Sequence, residues 1–168
     1  MLLVHARRDP RSRFSRYLAE ILVMEGFSGF AQIDLDELDD ETLAGAGLVV
    51  LPRVSLTARE AARLVDYVAE GGKLLALHPD PYLGKQFGLA PAQRATAIGA
   101  GYLWIDTDDP LTAGLCPEPV QIVAPAVVWR PAAESSIAVL AQVRDATDPS
   151  LNAPAVVRVA HGRGEAIL

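Results

Sequence analysis

Apolar positions in the first half of the chain follow two periodicities in turn. Leu2–His5 is a short apolar run that reads as a buried strand. Phe14, Tyr17, Leu18, Ile21 and Leu22 then recur at i, i+3, i+4, i+7 and i+8, which puts one apolar stripe on a helix. Asp9-Pro10 ahead of it suits an N-cap with proline at the first helical position, and Gly26 suits a stop. Residues 31–35 read as a second strand, followed by the acidic run Asp34, Asp36, Glu37, Asp39, Asp40, Glu41 and a short helix over 41–44. Leu48-Val49-Val50-Leu51 is continuously apolar rather than alternating, the pattern of a parallel strand covered on both faces. Thr57-Ala58-Arg59-Glu60 has the form of a capping box. Ala61, Leu64, Val65 and Val68 supply the next helical stripe, Gly71-Gly72 ends it, and residues 73–77 form another buried strand.

After Pro81 the pattern changes. A short helix fits residues 82–87, and strand-like stretches follow at 96–98, 102–105, 120–123, 126–129, 137–143 and 155–159. Turn signals separate them at Asp108-Asp109-Pro110 and Asp148-Pro149, and His161-Gly162-Arg163-Gly164 marks a hairpin into 165–168. Alternating strands and helices followed by strands alone predict an α/β fold. The expected form is a flavodoxin-like three-layer sandwich, with a mostly parallel sheet and an antiparallel strand extension in the C-terminal half. The 168 residues suit one domain spanning 1–168, and the stop at Leu168 inside an apolar run suits a piece of a longer protein.

Composition narrows the function classes. A formal net charge of -6 with no basic block argues against a nucleic-acid partner, which needs clustered Lys and Arg to neutralise phosphates. Arg7, Arg8, Arg11, Arg13 and Arg16 come nearest, and they read as a solvated helix face and loop. A single cysteine, Cys116, excludes an internal disulfide and a cysteine-based zinc cluster; its turn-like context suits a buried or half-buried small residue. No apolar stretch approaches the ~20 residues of a membrane span, and nothing fits a signal-peptide core. A soluble, cytoplasmic protein is therefore expected. With aromatics at 6%, the core is expected to be built from Leu, Val, Ile and Ala.

Ala46-Gly47-Leu48-Val49-Val50-Leu51-Pro52, a capped helix, then Gly71-Gly72-Lys73-Leu74-Leu75-Ala76-Leu77 resembles the class I glutamine amidotransferase-like superfamily. Asp109-Pro110-Leu111-Thr112-Ala113-Gly114-Leu115 resembles a segment of its divergent members, with Asp109 where they carry His. Ala155-Val156-Val157-Arg158 with Gly162-Arg163-Gly164-Glu165-Ala166 is similar to their closing hairpin. Those members include trehalose-utilisation-like proteins and the trimerisation domain of some β-galactosidases. The resemblance implies a nucleophilic cysteine on a sharp turn after the strand that follows the Gly-Gly pair, with backbone N–H groups for the oxyanion. Here that turn reads Leu77-His78-Pro79-Asp80-Pro81: it holds no cysteine or serine, no glycine to shape an elbow, and two prolines that remove backbone donors. Glutaminase chemistry is not expected, and no catalytic residue is assigned.

Ligands of an open parallel sheet bind beyond the carboxyl ends of its strands. Those ends carry His5, Arg7 and Arg8 after the first strand, Asp34 and Asp36 after the second, Arg53 after the third, and His78 with Asp80 after the fourth. A shallow polar site for an anion or sugar-like polyol is one reading, with His5, Arg7, Arg53, His78 and Asp80 as its candidates. The other is that Arg7, Arg8 and Arg53 pair with the acidic loop, as exposed charges commonly do. His78 beside Asp80 suits a general base or a metal ligand, or a His in a rigid turn between two prolines. Asp106, Asp108 and Asp109 lack the Gly and distal Glu of a calcium loop, and Asp145 and Asp148 read as turn formers.

Two functional classes follow. The first is a non-catalytic amidotransferase-like domain serving assembly or binding a small polar or sugar ligand. The second is a divergent hydrolase or carbohydrate-processing enzyme using His78 and Asp80 in place of the cysteine. No cofactor and no metal site is assigned, although the second class needs a nucleophile or a metal within reach of His78. Homo-oligomers or neighbouring domains are the expected partners, with Trp104, Trp129, Val127 and Val128 as interface candidates on the later strands.

Overall fold

The computed structural model describes residues 1–91, 97–98, 100–123, 126–132, 137–148 and 150–168. They form two compact units, Met1–Phe87 with Ala160–Leu168, and Gly88–Val159. The first carries β1 (Leu2–His5), a 3-10 turn over Pro10–Ser12, α1 (Arg13–Met24), β2 (Ala31–Asp34) and a 3-10 turn over Leu35–Glu37. It continues with α2 (Asp40–Ala44), β3 (Val49–Leu51), α3 (Ala58–Ala69), β4 (Lys73–Ala76) and α4 (Pro81–Gln86). The second carries β5 (Leu89–Pro91), β6 (Ala97–Ile98), β7 (Gly101–Ile105), β8 (Val120–Ile122), β9 (Ala126–Val127), β10 (Trp129–Pro131), β11 (Ile137–Asp145) and most of β12 (Asn152–His161). The chain then re-enters the first unit and ends in β13 (Gly164–Ile167).

In the first unit the strands run β2-β1-β3-β4-β13, every neighbouring pair parallel. The apolar run at Val49–Leu51 is buried throughout, as a strand covered on both sides requires. Leu3, Val50 and Leu75 are register neighbours across β1, β3 and β4, and they pack with Ala19, Leu18 and Leu22 of α1. Leu64, Tyr67 and Val68 bury the inner face of α3, which starts at a reciprocal capping box between Thr57 and Glu60.

The Gly-Gly pair works through close approach. A Cβ on Gly72 would stand 2.2 Å from the Tyr67 ring, and one on Gly164 would stand 2.2 Å from the Gly72 carbonyl oxygen. These glycines let the end of α3, the start of β4 and the start of β13 touch backbone to backbone. The Tyr67 hydroxyl accepts from the Lys73 N–H at 3.2 Å and donates to the Ala46 carbonyl at 3.0 Å.

The second unit is antiparallel, in the order β12-β11-β7-β8, with the short pairs β10-β5 and β6-β9. Val128, Val143 and Ala153 form its buried cluster, with Ile122 packed against it. The strand expected over 126–129 divides at the buried Val128 into β9 and β10, and β5 has no counterpart in the sequence pattern. Residue 96 of the expected strand over 96–98, Pro149 of the expected turn and the Val127 side chain lie outside the described residues.

Three local expectations are corrected. Asp9 does not cap α1: a 3-10 turn intervenes, Ser12 stands at the cap with its Oγ accepting from the Ala6 N–H at 2.6 Å instead of from the helix, and Asp9 accepts from the Ser55 N–H at 2.7 Å. The apolar stripe of α1 divides. Leu18 and Leu22 face the sheet with Ala19, whereas Phe14, Tyr17 and Ile21 are 59%, 54% and 56% exposed, and Met24 joins them at 85%. Cys116 is exposed rather than half-buried, because its segment is a surface turn with Gly114 at φ +84° and Leu115 half exposed.

Candidate functional site

Because the sheet of the first unit is parallel, β1, β3 and β4 deliver His5, Arg53 and His78 to one edge. Asp34, at the end of β2, is buried and organises the β1 side of that edge. The His5 Nε2 lies 3.5 Å from its Oδ2, the Arg7 N–H donates to the same oxygen at 3.1 Å, and the Arg7 Nε stands 3.3 Å away. The Asp36 N–H donates to Oδ1 at 3.0 Å. Burial alone pushes the Asp34 carboxyl up. The Asp36 and Arg7 amides, with the His5 and Arg7 charges, outweigh it and hold the carboxyl below its ordinary value.

Arg8 bridges two elements, with Nη1 at 2.6 Å from Asp36 and Nη2 at 2.6 Å from Glu60. The hydrogen bond to Glu60 raises its pKa above the ordinary arginine value. Arg7 also reaches Glu37 at 3.8 Å. The pairing of Arg7 and Arg8 with the acidic loop is thus realised.

A cavity of about 510 Å³ opens beside the end of β1, lined by His5, Arg7, Ser12, Arg13, Arg16 and Gln32 among others. Arg53, His78 and Asp80 do not line it. The edge therefore gathers the five candidates at neighbouring strand ends, while its cavity takes two of them and adds Arg13 and Arg16. The sequence hid that addition, because their closeness to β1 depends on how α1 packs. His5 Nδ1 is buried without a hydrogen-bond partner, leaving its polar capacity unused. A larger cavity of about 790 Å³ lies against α2, α3 and the Gly71-Gly72 turn, at the amino end of β4. Two of its arginines are engaged: Arg63 with Asp40 at 2.9 Å and Arg163 with the Glu70 carbonyl at 2.9 Å.

The turn after β4 has the backbone of an elbow. His78 sits at φ +55°, the one non-glycine residue in the left-handed region among the described residues, and its side chain is exposed. The expectation that a glycine is needed to shape this turn is corrected: the turn forms with His at its apex. Asp80 is the N-cap of α4, its Oδ1 accepting from the Tyr82 N–H at 2.9 Å, so its carboxylate has a structural task. Cys116 lies in the second unit.

Asp109 and Arg158, drawn from two separate motifs, meet in the second unit at 2.9 and 3.3 Å. Asp145 accepts from Thr147 and Asp148, and Asp148 from Ser150, as turn formers do. Trp104 is partly exposed with the Arg144 guanidinium 4.7 Å above its ring, whereas Val128 is buried. Among the described residues no three His, Cys, Asp or Glu side chains cluster to hold a metal, and no helix is long and apolar enough to cross a membrane.

No family model matches the sequence, and no curated protein matches it. Solved structures do. An exo-β-1,4-mannosidase from Opitutaceae bacterium strain TAV5 matches with a TM-score of 0.66 and 18% identity, over 99% of this chain and 30% of its own. A β-galactosidase of glycoside hydrolase family 42 from G. stearothermophilus matches with a TM-score of 0.66 and 15% identity, over 96% of this chain and 23% of its own. A ThuA-like protein from Parabacteroides merdae matches with a TM-score of 0.66 and 16% identity, over 99% of this chain and 76% of its own. At these identities the likeness is one of fold. It defines an α/β chain of the kind found in ThuA-like proteins and within larger glycosidases, of whose length it spans less than a third.

Proposed function

We propose that the chain is a non-catalytic glutamine amidotransferase-like domain, a single flavodoxin-like three-layer sandwich, that serves assembly. One observation carries the reading: α1 turns Phe14, Tyr17, Ile21 and Met24 to solvent at 54–85% exposure, a stripe that nothing in the described residues covers. A contiguous apolar face of this kind marks an interaction site on a folded protein. The His78 elbow without a nucleophile, and the use of Asp80 as a helix cap, support the absence of catalysis. Matches spanning 23–30% of two glycosidases support the role of one part in a longer assembly.

The test asks whether the stripe belongs to the core. Phe14→Glu with Ile21→Glu is expected to leave the melting temperature within about 2 °C, as surface substitutions do. A fall of roughly 10 °C, the signature of core loss, overturns the reading.

A second reading rests on the cavity beside β1, where His5, Arg7, Arg13 and Arg16 suit a small anionic or polyol ligand. Thermal stabilisation of the protein by inorganic phosphate or simple sugars, lost in Arg7→Ala, is the expected result. No stabilisation by either probe removes this reading.

A further inference from the structure

The cavity beside the end of β1 is cationic on an acidic chain. Among the described residues the guanidiniums of Arg7, Arg13 and Arg16 line it against one carboxylate, that of Asp9, whereas the whole chain carries a formal charge of -6. Arg7 is already matched, because Asp34 and Glu37 stand 3.3 and 3.8 Å from it. Arg13 and Arg16 are not. Among the described residues Arg13 gives only its Nε, to the Pro10 carbonyl at 3.3 Å, and Arg16 makes no hydrogen bond or ion pair. The two stand three positions apart on α1, which sets them on one side of the helix.

The amino end of α1 adds charge of the same sign. Its first turn holds no acidic residue, so no carboxylate offsets the positive end of the helix dipole there. The Ser12 and Ser15 hydroxyls are held by the Ala6 N–H and the Ser12 carbonyl, at 2.6 Å each. Charge then decides the class of ligand. A polyol leaves both cations unmatched, and a carboxylate matches one. A phosphomonoester carries about -1.5 to -2 near neutrality and three acceptor oxygens, which suits two guanidinium forks. At about 510 Å³ the cavity lies in the range of small-molecule sites, on the order of 300–1,000 Å³. Tyr17 and Gln32 also line it and supply neutral polar groups for the rest of an ester.

We propose that this cavity binds a small phosphomonoester, with the phosphoryl group between Arg13 and Arg16. The proposal rests on the ligand reading of the cavity and names the ligand's class. Arg7 acts indirectly: by matching Asp34 and Glu37 it keeps carboxylate charge from the phosphoryl group. Both α1 arginines are exposed, and ion pairs in water are individually weak, so the dissociation constant falls roughly between 0.1 and 1 mM.

NMR titration of the whole chain at low salt with glucose 6-phosphate, glucose and inorganic phosphate tests it. Glucose 6-phosphate is expected to bind, inorganic phosphate to bind more weakly, and glucose not to bind. Arg13→Gln with Arg16→Gln replaces two exposed side chains and is expected to weaken the ester about tenfold or more. Arg59→Gln, at an exposed arginine of α3 that lines the other cavity, is expected to leave the ester's affinity unchanged. An equal loss in Arg59→Gln marks a general charge effect and overturns the site. Glucose binding as tightly as its phosphate, or an ester affinity that survives the double exchange, overturns the phosphomonoester while the ligand reading of the cavity stands. Inorganic phosphate binding as tightly as the ester overturns the ester in favour of a bare oxyanion. Binding of none of the three removes the proposal and the ligand reading together.

Discussion

Arg158 and Asp109 stand 49 positions apart in the chain and meet as a two-pronged ion pair. Nη2 donates to Oδ2 at 2.9 Å and Nη1 to Oδ1 at 3.3 Å, and the Asp109 side chain is only 13% exposed. The same Asp109 Oδ1 accepts from the Leu111 N–H at 2.9 Å, and Thr112 bonds the Asp109 and Asp106 carbonyls. The pair thus ties the Asp109–Thr112 turn to β12 within the second unit.

Arg158→Lys keeps the charge and loses the fork. It is expected to cost about 1 kcal/mol, and Arg158→Ala about 2, in urea unfolding. Asp109→Asn preserves the turn acceptor for Leu111 and removes only the ion pair. It is therefore expected to match Arg158→Lys and to add nothing on top of Arg158→Ala. Full additivity in that double variant refutes the coupling.

Gly72→Ala is expected to be strongly destabilising, by about 2 kcal/mol or more, since its methyl would enter the Tyr67 ring at 2.2 Å. Tyr67→Phe keeps the ring and removes the hydroxyl that serves the Lys73 N–H and the Ala46 carbonyl, for an expected loss of about 1–2 kcal/mol. Thermal melts of both variants decide the matter. A Gly72→Ala protein as stable as the parent contradicts the close approach.

Acid stability follows from Asp34 and Glu60. Burial opposes ionisation at both, but hydrogen bonds from backbone and arginine groups prevail, and both carboxyls titrate below their ordinary values of 3.8 and 4.5. A depressed folded-state pKa stabilises the fold above the ordinary value, and that contribution is lost as pH falls through the folded one. Asp34→Asn is expected to be less stable than the parent near neutrality, with the gap closing as pH drops below 3.8. A gap of constant size from pH 7 to pH 3 contradicts this.

His78 at φ +55° separates backbone from side chain. His78→Ala and His78→Gly both remove the imidazole, but only glycine takes this conformation without penalty. The glycine variant is expected to be the more stable by about 1 kcal/mol, as measured by chemical unfolding. Equal stability implies that the turn relaxes to negative φ on losing its side chain.

Much of the fold was legible because the signals are local. The continuous apolar run at Val49–Leu51 and the Thr57–Glu60 box each depend on residues within a turn or a strand of one another. The edge candidates were legible for the same reason: parallel strands must end together, so His5, Arg53 and His78 share an edge by topology alone. The arrangement there was not. Asp34 draws in His5 and Arg7, and Asp80 turns away to cap α4.

From the order of residues alone it follows that strands and helices alternate in the first half, that strands follow one another in the second, and that the turn after β4 carries no nucleophile. Tertiary structure alone decided which arc of α1 is buried. Phe14, Tyr17 and Ile21 adjoin Leu18 and Leu22 around the helix, so periodicity joins them in one stripe. Contact with β1 and β3 claims only Leu18 and Leu22 with Ala19. It also decided that Asp109 meets Arg158 and that His78 takes a left-handed backbone. Local patterning fixes what each segment can become; which of its faces is covered depends on distant segments whose approach the packed fold sets.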